Sequence, residues 1–190
     1  MEAFFISVGV VALAEIGDKT QLLAFVLASR FKQPLPIILG IFLATLINHS
    51  LAGAVGLWIT TLIHPDLLRW LLSASFLAMA LWMLIPDSID DDKTHTGKNL
   101  GVFGATFLTF FLAEMGDKTQ IATIALTAHY AAPLAVIAGT TLGMLLADVP
   151  AVFFGNKLAD KIPVKWVHWC SAFIFLVMAV LNLIFKPELG

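Results

Sequence analysis

The sequence predicts an all-α membrane protein whose six transmembrane helices form two inverted-topology three-helix repeats. Three observations carry this. Hydrophobic residues make up 59% of the 190 and charged residues only 13%, with a mean hydropathy of +0.93; a soluble domain carries about 25% charged residues. Six apolar runs reach the ~20 residues that a helix needs to cross a bilayer. Finally, the first half of the chain recurs in the second at a constant offset of 99, without a gap.

The first predicted span covers Phe4 to Ser29, and Arg30-Phe31-Lys32-Gln33-Pro34 ends it. The second runs from Leu35 to Ile63, with Pro34 and Pro36 suited to a first helical turn. His64-Pro65-Asp66 reads as a turn, and the third span follows from Leu67 to Ile85. Pro86 to Asn99 then has almost no apolar content and reads as a flexible aqueous linker. The fourth span runs from Gly101 to Ala128 and the fifth from Pro133 to Gly155. Asn156 to Lys165 is a short basic loop, and the sixth span runs from Trp166 to Phe185.

The offset places Glu15 on Glu114, Pro34 on Pro133, Gly40 on Gly139, Gly56 on Gly155, Trp70 on Trp169 and Met79 on Met178. Register held through three helices indicates an internal repeat. The organisation is therefore a first repeat over 1–85, an acidic linker over 86–100 and a second repeat over 101–190. Three spans per repeat is an odd number, so the second starts on the opposite side of the membrane from the first. Loop charge sets the orientation. One side holds Arg30, Lys32, Lys93, Lys98, Lys157, Lys161 and Lys165, the other only Arg69 and Lys186. The basic side should be cytoplasmic, with both termini outside.

A net charge of −2 argues against a nucleic-acid partner. Cys170 is the only cysteine, which excludes an intrachain disulfide or thiolate cluster. Met1-Glu2-Ala3 lacks a basic leader region and the first apolar run is too long for a signal peptide, so it is expected to stay in the mature chain.

Chemistry concentrates in one stretch that occurs twice, Glu15-Ile16-Gly17-Asp18-Lys19-Thr20-Gln21 and Glu114-Met115-Gly116-Asp117-Lys118-Thr119-Gln120. Each copy lies deep in an apolar run, where an ionisable residue costs roughly 2.5–3.5 kcal/mol on insertion scales and marks function by default. On a continuous helix Glu15 and Asp18 share a face, as do Glu114 and Asp117. Gly17 and Gly116 permit either close helix approach or a local break that frees backbone carbonyls. Inverted symmetry would bring the copies together near the midplane. The ligand set is then Glu15, Asp18, Glu114 and Asp117, with Thr20, Gln21, Thr119 and Gln120 in reserve. These hard oxygen donors suit Mn²⁺, Ca²⁺ or Mg²⁺. Four carboxylates against Lys19 and Lys118 leave −2, which one divalent ion neutralises. When the ion leaves, protons can replace it, because clustered carboxylates in a low dielectric resist ionisation. The competing structural reading makes Glu15–Lys19 and Glu114–Lys118 ion pairs within each helix; it leaves both aspartates unexplained. The lysines are not expected to be ligands and could point away from the ion.

Asn48 and Asp148 are further candidates for the ion site or a proton path. Asp148 aligns with His49 and precedes Pro150, which is expected to kink its helix. His49 itself reads as packing. Trp58, Trp70, Trp82, Trp166 and Trp169 fall near span ends and read as an interfacial belt.

The doubled Glu-x-Gly-Asp-Lys-Thr in a six-span chain resembles the family of the Golgi manganese and calcium transporter and its bacterial manganese exporters. The resemblance covers essentially the whole chain, and neither motif departs from the family pattern E-x-G-D-[KR]-[TS]. It implies export of a divalent cation, Mn²⁺ before Ca²⁺, in exchange for H⁺ by alternating access, in a prokaryotic plasma membrane. The motif residues Glu15, Gly17, Asp18, Lys19 and Thr20, and Glu114, Gly116, Asp117, Lys118 and Thr119, carry over. The expected partners are the metal ion, protons and the lipid bilayer, with no cofactor beyond the transported ion; a homo-oligomer is compatible with the sequence. The alternatives are Ca²⁺/H⁺ exchange at the same site or a cation channel. An intramembrane metalloenzyme would need a nucleophile or metal-bound water, and the sequence has no HExxH motif; the chain is read as a transporter and not an enzyme.

Overall fold

The computed structural model describes residues 1–85, 100–154 and 164–184. Apart from Leu100, the expected linker lies outside the described residues, as does the expected basic loop up to residue 163. The described elements are α-helices: α1 Glu2–Glu15, α2 Lys19–Phe31, α3 Pro34–Leu62, α4 Pro65–Trp82, α5 Gly101–Glu114, α6 Lys118–Tyr130, α7 Pro133–Phe154 and α8 Val164–Ile184.

The expected first and fourth spans are not single helices. Each is split at its motif into pieces of 14 and 13 residues, about 20 Å apiece against a ~30 Å hydrocarbon core. Among the described residues α3, α7 and α8 are long and apolar enough to cross a membrane by themselves. The third span starts two residues earlier than expected, because Pro65 takes the first helical turn instead of a loop. Likewise α7 runs on through Pro150 as one helix.

The helix ends repeat as the sequence does. Lys32 and Ala131 adopt left-handed conformations with φ of 53° and 48°. Their N–H groups close onto Ala28 O and Thr127 O, which ends α2 and α6. Pro34 and Pro133 then start α3 and α7.

Packing joins each half to the other. α1 lies on α7 and, by the same offset, α5 lies on α3; α3 meets α7, and α4 meets α8. Glycine makes the tightest of these contacts. A Cβ on Gly139 would sit 2.5 Å from Phe4 O and 2.9 Å from Ser7 Cβ; on Gly40 it would sit 3.0 Å from Phe103 O and 2.8 Å from Thr106 Cβ. Phe103 and Thr106 are the repeat equivalents of Phe4 and Ser7. Backbone-to-backbone approach of this kind is how helices associate where lipid removes the hydrophobic drive.

Candidate metal centre

The break in each long apolar run is a type II turn. Ile16 has φ −64° and ψ 114°, Gly17 has φ 83°, and the Asp18 N–H donates to Glu15 O at 3.0 Å. Met115 (−62°, 118°), Gly116 (77°) and the Asp117 N–H to Glu114 O bond of 3.0 Å repeat it. This turn requires a positive φ at its third residue, which explains the glycine of the motif. The glycine therefore makes the break, one of the two roles open to it from sequence, and Glu15 and Asp18 do not share a face of one helix. The glutamate ends one half-helix, and the aspartate is the N-cap of the next. Neither Asp18 nor Asp117 uses its carboxylate as a side-chain cap. Gln21 and Gln120 cap instead, their Oε1 atoms accepting from the N–H of Gly17 (2.9 Å) and Gly116 (2.7 Å). That gives the motif glutamines, expected as reserve ligands, a structural task at the turn.

The two turns meet. Carboxylate oxygens of Glu15, Asp18 and Asp117 all lie within 4.8 Å of one another, and all three residues are buried. Glu114, the fourth expected ligand, is also buried but is held differently: it accepts from Thr45 Oγ1 at 2.6 Å and from Asn48 Nδ2 at 3.3 Å. Asn48 Nδ2 also reaches Phe111 O, at 3.1 Å, in the last turn of α5. Glu15 accepts from Thr20 Oγ1, within its own motif. Gln21 Nε2 donates to Ala147 O at 3.0 Å, tying α2 to α7 one residue before Asp148.

The lysines pair across the repeat. Lys19 Nζ lies 2.7 Å from Asp117 Oδ1, and Lys118 Nζ lies 3.7 Å from Asp18 Oδ1. This replaces both sequence readings, the intrahelical Glu–Lys pair and the lysine pointing away. Lys118 is buried, and its Nζ sits 6.0 Å from the centroid of the Trp82 ring.

Asp148 is fully buried, and neither of its oxygens has a hydrogen-bond partner among the described residues. It lies within electrostatic reach of Glu15, Glu114 and Asp18. Glu15 Oε1, Asn48 Oδ1, Asp117 Oδ2 and Thr119 Oγ1 are likewise buried without a hydrogen bond. A buried, oxygen-rich enclosure with lone pairs left over among the described residues fits a hard cation. His49 is buried, and among the described residues neither ring nitrogen has a hydrogen-bond partner. Thr45 escaped the sequence reading. Its signal was a hydroxyl three residues before Asn48, on the same face of an apolar helix.

A family model described as "Divalent cation/proton antiporter GDT1" matches residues 3–91 and 102–188. A "Putative manganese exporter" of Vibrio cholerae serotype O1 is 52% identical over 97% of this chain and 92% of its own length. "GDT1-like protein 4" of Oryza sativa subsp. indica is 28% identical over 98% of this chain and 74% of its own. "GDT1-like protein 3" of Arabidopsis thaliana is 27% identical, with 98% and 72% covered. No solved structure matches the chain at a significant level.

Proposed function

The chain belongs to the GDT1 family of divalent cation/proton antiporters, and from that premise we propose that it exports Mn²⁺ in exchange for H⁺ through the centre where its two motif turns meet. The observation that carries this is the convergence of Glu15, Asp18 and Asp117, drawn from both repeats, in a buried enclosure. A centre shared between repeats can change its access when the repeats rearrange, while a site within one half-helix could not.

Each motif aspartate faces a resident competitor, the lysine of the other motif. An incoming divalent ion takes the aspartate oxygens from the ammonium groups and gains Glu15 as a further ligand. Glu114 is the reserve carboxylate, released when Thr45 and Asn48 turn away. Protons discharge the carboxylates when the ion leaves, and Asp148, with both oxygens unpartnered, is the candidate proton carrier. Thr20, Thr119 and the free Asn48 Oδ1 can complete an oxygen shell.

Inverted repeats are supported by the exchanged contacts of α1 with α7 and α5 with α3. On this reading each pair of half-helices crosses the bilayer in series, which restores six spans. The loop charge bias supports a cytoplasmic linker with both termini outside, and the Vibrio cholerae relative supports a bacterial inner membrane. Mn²⁺ is favoured over Ca²⁺ by that relative's name and by a donor set nearer six than eight oxygens.

The test is flux in proteoliposomes with a pH-sensitive dye inside. Mn²⁺ should drive proton movement, and an imposed pH gradient should drive Mn²⁺ uphill, which a channel cannot do. Asp18→Asn and Asp117→Asn should each bring the signal to background. Normal coupled flux in both variants would remove the motif from the mechanism, and equal or faster Ca²⁺ flux in competition would reassign the ion.

A further inference from the structure

The two cores of the molecule are unequal in one respect. The first gathers α1, α4, α6 and α8, through residues such as Val10, Phe76, Leu126 and Phe175, together with Val136 of α7. The second gathers α2, α3, α5 and α7, and among the described residues none of α4 or α8 belongs to it. At the offset of 99, α1 and α6 correspond to α5 and α2. A fully symmetric molecule would set the α4–α8 pair equally against both. Instead α4 packs on α6, and α8 on α1. The pair is itself symmetric at its heart, where the equivalent rings Phe76 and Phe175 stack at 6.4 Å.

A polar network fastens the pair on the side it occupies. Asn182 of α8 is buried, and its Nδ2 donates to Ser73 Oγ at 2.8 Å and to Arg69 O at 2.9 Å, both on α4. Its Oδ1 lies 2.9 Å from His129 Nδ1 on α6. With the amide nitrogen committed to two acceptors, Oδ1 must accept, so His129 carries its proton on Nδ1. The His129 ring in turn stands edge-on to Phe76 at 6.2 Å. One side chain thus joins three helices. The repeat equivalents of His129, Asn182 and Ser73 are Arg30, Met83 and Ala172. Methionine and alanine cannot rebuild this network on the other side.

We propose that Asn182, with Ser73 and His129, is a latch that holds the α4–α8 pair against α1 and α6, and that opening it lets the pair swing towards α2 and α5. The proposal rests on the alternating-access reading above and adds an asymmetry to it: one closed face is fastened by the Asn182 network, and the opposite one lacks the asparagine and serine that build it. Asn182, Ser73 and His129 are positioning residues, since none touches the ion centre.

The test reads distances, not flux. Spin labels go on the exposed residues Leu67 of α4 with Leu134 of α7, at one end, and Leu81 of α4 with Leu100 before α5, at the other. Both pairs sit in a Cys170→Ser background in liposomes. Asn182→Ala should lengthen the first distance and shorten the second, moving the ratio of the two populations by on the order of tenfold. Ser73→Ala, which removes one acceptor and keeps the rest, should shift both the same way by less. Distances unchanged in both variants would overturn the latch. So would broadening of both pairs without opposite shifts, which is what a purely structural defect gives. Because no gradient is imposed, loss of flux in another assay leaves this result standing, and normal flux with unmoved distances counts against the latch alone.

Discussion

The two motif turns are the same object in different surroundings. Their dihedral angles agree within a few degrees, yet Glu114 is held by Thr45 and Asn48 of α3, while the equivalent positions on α7 are Met144 and Ala147. Lys118 is buried; the Lys19 side chain keeps 26% of its exposure. Local sequence therefore dictates the turn, and long-range packing decides what each carboxylate and each lysine does. A duplicated site can divide its labour without changing its own residues.

Neutralising the two glutamates separately should have the largest effect on transport. Glu15→Gln removes a member of the converging triad and should cut Mn²⁺-driven proton flux by roughly a hundredfold. Glu114→Gln keeps an amide that Thr45 can still serve, and should cost nearer tenfold; both figures follow from ~1.5–3 kcal/mol for an interaction with a charged group. Equal losses in the flux assay would mean that the α3 partners do not separate the two roles.

Stability should separate the lysines next. Lys118→Met leaves Asp18 in a buried setting without its ammonium, and breaking a buried ion pair costs about 3–5 kcal/mol. Lys19→Met leaves the buried Asp117, but the Lys19 side chain is 26% exposed, so water can take its place and the cost should be about 1 kcal/mol. Burial outweighs distance here, because the more exposed pair is the shorter one. Thermal unfolding in detergent should show a clear drop for Lys118→Met and little for Lys19→Met; the reverse order would show that distance governs.

The smallest effect lies at the matched helix ends. Ala131 and Lys32 both hold positive φ without being glycine. Ala131→Gly should stabilise the protein by up to ~1 kcal/mol, since the left-handed strain removed slightly exceeds the entropy added. A lower melting temperature would show that the methyl group packs.

Much of this was legible in the sequence. The offset of 99 is read directly from the sequence, and three of the four carboxylates that the doubled motif singled out lie together in the structure. The turn was half legible: Gly17 admitted a break, but hydropathy runs straight through Ile16 and Met115, so apolar content hid it. Lys19–Asp117 and Lys118–Asp18 were not legible, because pairs separated by about a hundred positions follow only from how the halves dock. Thr45 was passed over since a threonine in an apolar helix usually bonds its own backbone, as Thr109 does to Ala105 O. The side taken by α4 and α8 was invisible, for a repeat pattern predicts symmetry and cannot say which way it is broken.

The seam of α1 on α7 joins Phe4 to Gly139, and this bears on how the chain is made. Helices enter the bilayer before they pack, so α1 waits in lipid until α7 has been synthesised. Until α5 and α6 have also been made, Asp18 and Lys19 have neither Asp117 nor Lys118 to meet. Each motif carries two carboxylates against one lysine, and during biosynthesis it bears that charge without the cross-repeat pairs of the finished molecule. Pairing of the two turns acts as the late step that closes the assembly, and the converging cluster of Glu15, Asp18 and Asp117 comes into being only then.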